Sequence, residues 1–140
     1  MLPSTSGESH IITHEPDLLV GHFIGRIGVD EMQRVLDIQR RFSAGKSGIF
    51  LLVDVEHLEH ITPEARRIAS EGPGENGAGV PILGAALVGA RFHARILGAM
   101  VFRAARILHR GPHFDVRFFD TESAALAWID EIRRSLRSAS

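Results

Sequence analysis

The sequence predicts an α/β domain: one mixed, mostly parallel sheet of about five strands flanked by about four helices. Three observations carry this expectation. From Gly48 onward, strand-like segments alternate with segments of helical periodicity, the pattern of parallel strands joined by right-handed crossovers. Ile49 to Val53 is an unbroken apolar run, as expected of a strand covered on both faces. Ahead of them, two short β-prone segments flank Glu15-Pro16-Asp17, a turn signal because proline fixes φ at its corner.

Taken in order, residues 1–9 are polar and read as a disordered tail. His10 to His14 and Leu18 to Ile27 then read as a hairpin, the second arm a single strand of β-branched and aromatic residues. Asp30 is placed to cap a helix running to about Ala44, with Gln33 completing a capping box. Met32, Val35, Leu36 and Phe42 form its apolar stripe, while Arg34, Asp37, Arg40 and Arg41 take the wet face. Ser43 to Ser47 ends it. After the Ile49 to Val53 strand and a polar loop, Thr62 suits an N-cap and Pro63 the first helical position of a helix to about Ser70.

Glu71 to Gly79 reads as a flexible loop, and Pro81 to Val88 as the next strand. The longest helix is expected over Arg91 to Arg110, stopped by Gly111-Pro112. Val116 to Phe119 is a last short strand. Asp120 or Thr121 caps the final helix, whose stripe is Ala125, Trp128, Ile129, Ile132 and Leu136. Residues 138–140 read as a fraying tail, leaving one domain over 10–137.

Composition narrows the function classes. Of 140 residues, 44% are hydrophobic, enough for one proper core. A net charge of −1 gives no bulk field toward nucleic acid or membrane. The absence of cysteine excludes disulfides, thiolate metal sites and thiol nucleophiles. There is no signal-peptide pattern and no apolar run long enough to span a bilayer, so a cytoplasmic location is expected, with no nucleic-acid partner. Eight histidines against no tyrosine is the one compositional oddity.

The order of elements, with LLVDVEHLEHITPEARR in the middle and VRFFDTESAALAWIDE near the end, resembles the SpoIIAA-like (STAS) superfamily. It looks in particular like the bacterial STAS/SEC14 domain proteins, over about Ser9 to Arg137. The resemblance implies a SpoIIAA-like fold and a signalling or protein-binding role like that of the anti-sigma factor antagonists. Those carry a phosphorylatable Asp-Ser pair at the start of the helix after the central strand. Here Thr62-Pro63-Glu64 stands in that place, and Thr62 is better explained as an N-cap.

Several motifs invite chemistry. Gly45-Lys46-Ser47 lacks the upstream glycine of a phosphate-binding loop, ends a helix and precedes a strand, so it reads as a helix-terminating loop. Gly72 to Gly77 spells GxGxxG but also follows a helix and precedes a strand. It reads as a loop that could serve as a flap. Glu56-His57-Leu58-Glu59-His60, beside Asp54, places carboxylates and imidazoles after the central strand, the donor types of a zinc or nickel site. Extended geometry would split those donors between two faces, which favours a solvated polar loop. Asp54 and Asp120 sit at C-terminal strand ends, where open α/β sheets place ligands. In the long helix, Arg91, Arg95, Arg103 and Arg106 form a basic stripe around Phe102, opposite an apolar face that includes Met100 and His93.

These readings converge on a non-catalytic STAS-type regulatory or interaction module with no cofactor. It binds a protein partner through Asp54, Glu56, His57, Glu59, His60, Thr62, Glu64, Arg91 and Asp120. Arg95, Phe102, Arg103 and Arg106 are a candidate docking or homodimer face, as is the edge of the hairpin. Two other readings stand beside it. One is a carrier of a small apolar or anionic, lipid-like molecule, motivated by the flap and the helix around Met100. The other is a metal-dependent enzyme using His57 and His60.

Overall fold

The computed structural model describes residues 9–71, 82–89 and 115–139. Within them the chain forms β1 (His10–His14), β2 (Leu18–His22), β3 (Gly25–Ile27), α1 (Val29–Ser43), β4 (Ile49–Asp54), β5 (Leu58–Ile61) and α2 (Pro63–Glu71). These are followed by β6 (Ile82–Val88), β7 (Asp115–Phe119) and α3 (Glu122–Ala139). The flap at Gly72 to Gly79, and the expected helix Arg91 to Arg110 with Arg91, His93, Arg95, Met100, Phe102, Arg103 and Arg106, lie outside the described residues.

A five-stranded sheet runs in the order β1-β2-β4-β6-β7. The first pair is the antiparallel hairpin, with His10 opposite His22 and His14 opposite Leu18. The other three pairings are parallel. The expected mixed, mostly parallel sheet is therefore present, with the apolar run of β4 at its centre.

Strand alternation explains the two layers of core. Phe50 and Leu52 of β4 point to the same side as Leu18, Val20, Ala86 and Val88, and α3 covers them with Ala125, Trp128 and Ile129. Ile49 and Leu51 point to the other side with Leu19 and Ala85, where Phe42 and Ile38 of α1 cover them. Ile49, Phe50 and Leu52 are fully buried, so β4 is covered on both faces, as its sequence predicts. Arg133 of α3 fastens the hairpin turn from above. Its Nε and Nη2 donate to the Asp17 carboxylate at 3.1 and 2.6 Å, and its guanidinium lies over the Phe50 ring.

Two local expectations are corrected. Leu18 to Ile27 is not one strand. β2 ends at His22, and Gly25, at φ 70°, turns the chain into β3. β3 then pairs in parallel with β5, which lies in what reads as a polar loop, and the two form a second sheet. The backbone N–H of Gly25 donates to the His57 carbonyl at 2.9 Å, which locks the departure. Nor does Asp30 cap α1. The helix starts two residues earlier, from an extended Gly28 with no side-chain cap, and Met32 N–H donates to the Gly28 carbonyl. Asp30 and Glu31 instead occupy the first turn, where their charge complements the helix dipole. On the wet face of the same helix Asp37 pairs with Arg40 and Arg41, and its hydrogen bond with Arg41 lowers the Asp37 carboxyl below its ordinary value.

The small sheet has its own apolar centre. Ile27, Met32 and Ala65 are buried there, with Phe23, Leu36, Leu58, Ile61 and Ile68 packed around them. α1 thus serves two clusters, one under the large sheet and one under β3 and β5. This arrangement holds the segment after β4 against a firm base.

Candidate functional site

In a parallel sheet the C-terminal strand ends fall along one rim. Register places His22 beside Asp54, Asp54 beside Val88, and Val88 beside Phe119. His22 follows Val20 by two residues, and Asp54 follows Leu52 by two, so both side chains emerge on the face that α3 covers. The first turn of α3 brings Glu122 to the same place. Three residues remote in sequence therefore meet at one corner of the rim.

Their geometry is close. His22 Nε2 lies 3.1 Å from Glu122 Oε2 and 3.9 Å from Asp54 Oδ2. One donor atom from each of the three lies within 4.8 Å of the other two. The side chains of His22, Asp54 and Glu122 are 23%, 15% and 42% exposed, so the corner is shielded from below and open at its outer edge. His10 stacks its ring on His22 with centroids 4.7 Å apart. Among the described residues, His22 Nδ1 is buried with no hydrogen-bond partner. Asp54 is oriented by the turn after it, because Glu56 N–H donates to its Oδ1 at 3.0 Å. An imidazole nitrogen and two carboxylates are donors of the kind that hold a divalent transition metal.

The expected loop divides cleanly into inward and outward residues. Leu58 and Ile61 pack into the small cluster, and Ala65 of α2 is buried in it. Glu56, His57, Glu59, His60 and Glu64 are exposed. His57 and His60 are not part of the His22 group, so the metal donors anticipated on this segment are not gathered there. Thr62 is buried, and its Oγ1 accepts from Ala65 N–H at 3.2 Å. Its hydroxyl therefore belongs to the helix cap rather than to the exposed surface. Gly89, at φ 71°, closes the neighbouring strand end against this turn: a Cβ there would meet the Glu56 Cβ at 2.8 Å.

Asp120 is exposed at the end of β7, and Thr121 rather than Asp120 caps α3, its Oγ1 accepting from Ala124 N–H at 3.2 Å. The Gly45-Lys46-Ser47 turn ends α1 as expected. Gly45 takes φ 78°, Lys46 N–H donates to the Ser43 carbonyl, and Lys46 Nζ pairs with Glu15 at 3.0 Å.

Sequence reasoning missed His22 and Glu122. The signal that could have found them is parity: once Val20 and Leu52 are assigned to the face under α3, His22 and Asp54 follow onto it. Which strands are neighbours is the further fact needed, and it is not written locally.

Among the described residues no helix is long and apolar enough to cross a membrane. No protein-family model matches the chain, and none of the curated proteins matches it. Among solved structures it is similar to an uncharacterized protein of the DUF3478 family with a SpoIIAA-like fold, from Shewanella loihica PV-4. The two align with a TM-score of 0.57 and 18% identity, covering 91% of this chain and 98% of that one. The fold is SpoIIAA-like, in agreement with the resemblance seen in the sequence. At this identity the likeness speaks to fold alone.

Proposed function

We propose that the chain is a non-catalytic STAS-type interaction module whose recognition surface is the segment Glu56 to Glu64. The observation that carries this reading is the division of that segment. Leu58, Ile61 and Thr62 anchor it in the small cluster and the helix cap. Glu56, Glu59 and Glu64 stand outward with His57 and His60 between them. From Val55 to Ala65 the sequence contains no lysine or arginine, so the exposed side chains offer negative charge at neutral pH. A surface held by β3 pairing and buried apolar residues is pre-organised, which reduces the ordering cost of binding. The partner it suits is a protein presenting a basic patch, with association that weakens as salt rises.

The test is affinity capture of partners by the wild-type chain, compared with the triple charge reversal Glu56→Lys, Glu59→Lys and Glu64→Lys. All three positions are exposed, so the variant should keep its fold. Capture is expected to fall at least about tenfold in the variant, equivalent to about 1.4 kcal/mol. A partner held equally well by both chains would count against the reading.

A further inference from the structure

We propose that His22, Asp54 and Glu122 form a binding site for one divalent transition-metal ion of the zinc type. This is independent of the recognition reading, since none of the three lies between Glu56 and Glu64.

Zinc takes imidazole nitrogen and carboxylate oxygen at roughly 2.0–2.2 Å. In a tetrahedral shell those bond lengths put neighbouring donors about 3.3–3.5 Å apart. The separations of 3.1 and 3.9 Å from His22 Nε2 bracket that spacing, and the three donors span no more than 4.8 Å. Glu122 has a long side chain that is 42% exposed, so rotation about its own bonds can close the remaining gap.

Among the described residues, the ion-pair neighbour of both Asp54 and Glu122 is His22. One imidazole offsets at most one of the two carboxylate charges, and only when protonated. A dication balances both while leaving the imidazole neutral, the form that ligates.

Asp54 Oδ1 is engaged by Glu56 N–H, which leaves Oδ2 on the His22 side. The His10 ring stacked on His22 restrains its plane. The hydrogen bond to Asp54 is a support of the kind that holds ligands in place around metals. The three ligands come from β2, β4 and α3, so an ion there would pin the helix to two strands. Three protein ligands also leave a fourth position at the exposed edge for water or a further donor.

Isothermal titration of the tag-free, chelator-stripped 140-residue chain with zinc chloride tests this. Saturable binding of one ion per chain is expected, with affinity at least about tenfold weaker in Glu122→Gln and in His22→Gln. The double variant His57→Ala, His60→Ala is expected to bind within about twofold of wild type, and zinc should raise the melting temperature of wild type more than that of Glu122→Gln. Glu122 is partly exposed, so Glu122→Gln decides the matter even if His22→Gln fails to fold. Absence of saturable binding would overturn the proposal. So would binding that survives at wild-type affinity in Glu122→Gln, whether or not it is lost in the His57, His60 double variant.

Discussion

Two polar regions share one rim and are built in opposite ways. The segment Glu56 to Glu64 is contiguous, and its exposed groups are neighbours because they are consecutive on β5 and its flanks. The corner at His22, Asp54 and Glu122 draws its groups from two strands and a helix, the ends separated by 100 residues. A contiguous surface tolerates adjustment of the core beneath it, because its internal spacing is local. An assembled corner depends on every register that brings it together. The two regions should therefore respond differently to the same disturbance.

The largest effect is expected from Leu52→Ala. Leu52 is fully buried two residues before Asp54, on the face that packs against α3. Truncating it should cost about 2–5 kcal/mol of unfolding free energy, read from denaturant midpoints. Zinc affinity should fall with it, while partner capture by the folded fraction should change far less. Equal loss of both functions in that fraction would erase the distinction between the two regions.

Gly89→Ala should couple them. The residue takes a positive φ, and a Cβ there meets both the Cβ and the backbone Cα of Glu56, at 2.8 and 3.2 Å. The side chain must push the Asp54–Glu56 turn away, at a stability cost of about 1–3 kcal/mol by thermal or chemical denaturation. Because that turn orients Asp54 and begins the exposed segment, zinc binding and partner capture should both weaken. An unchanged melting temperature would show that the turn yields without resistance.

Thr62→Ala should act on one region alone. Loss of the cap to Ala65 N–H should cost about 0.5–2 kcal/mol in stability, and Thr62→Ser should recover most of it. Partner capture should decline with Thr62→Ala, while zinc affinity should hold within about twofold.

The same contrast marks what the sequence makes legible. The doubly covered β4 follows from five consecutive apolar residues, and the Thr62 cap from its place before Pro63. Both are local patterns with local causes. The break in Leu18 to Ile27 was less readable, because Gly25 can either loosen a strand or turn it, and its pairing with the segment after β4 decides. The start of α1 shifted for a related reason. Asp30 has good capping chemistry, yet the Gly28 carbonyl accepts the Met32 N–H and begins the helix earlier. His22 looked like one polar residue in an apolar strand. Only the pairing of β2 with β4, and the docking of α3 over them, gives it two carboxylate neighbours. Such neighbours are a property of topology, which the residues around His22 do not encode.

The most direct measurement of the difference between the two regions is a residue-resolved NMR titration with zinc. Resonances of His22, Asp54 and Glu122 are expected to respond together at the first equivalent of metal, from three separate elements, while His57 and His60 respond only at higher concentration. Perturbation that begins at His57 and His60, with the His22 corner silent, would contradict this expectation.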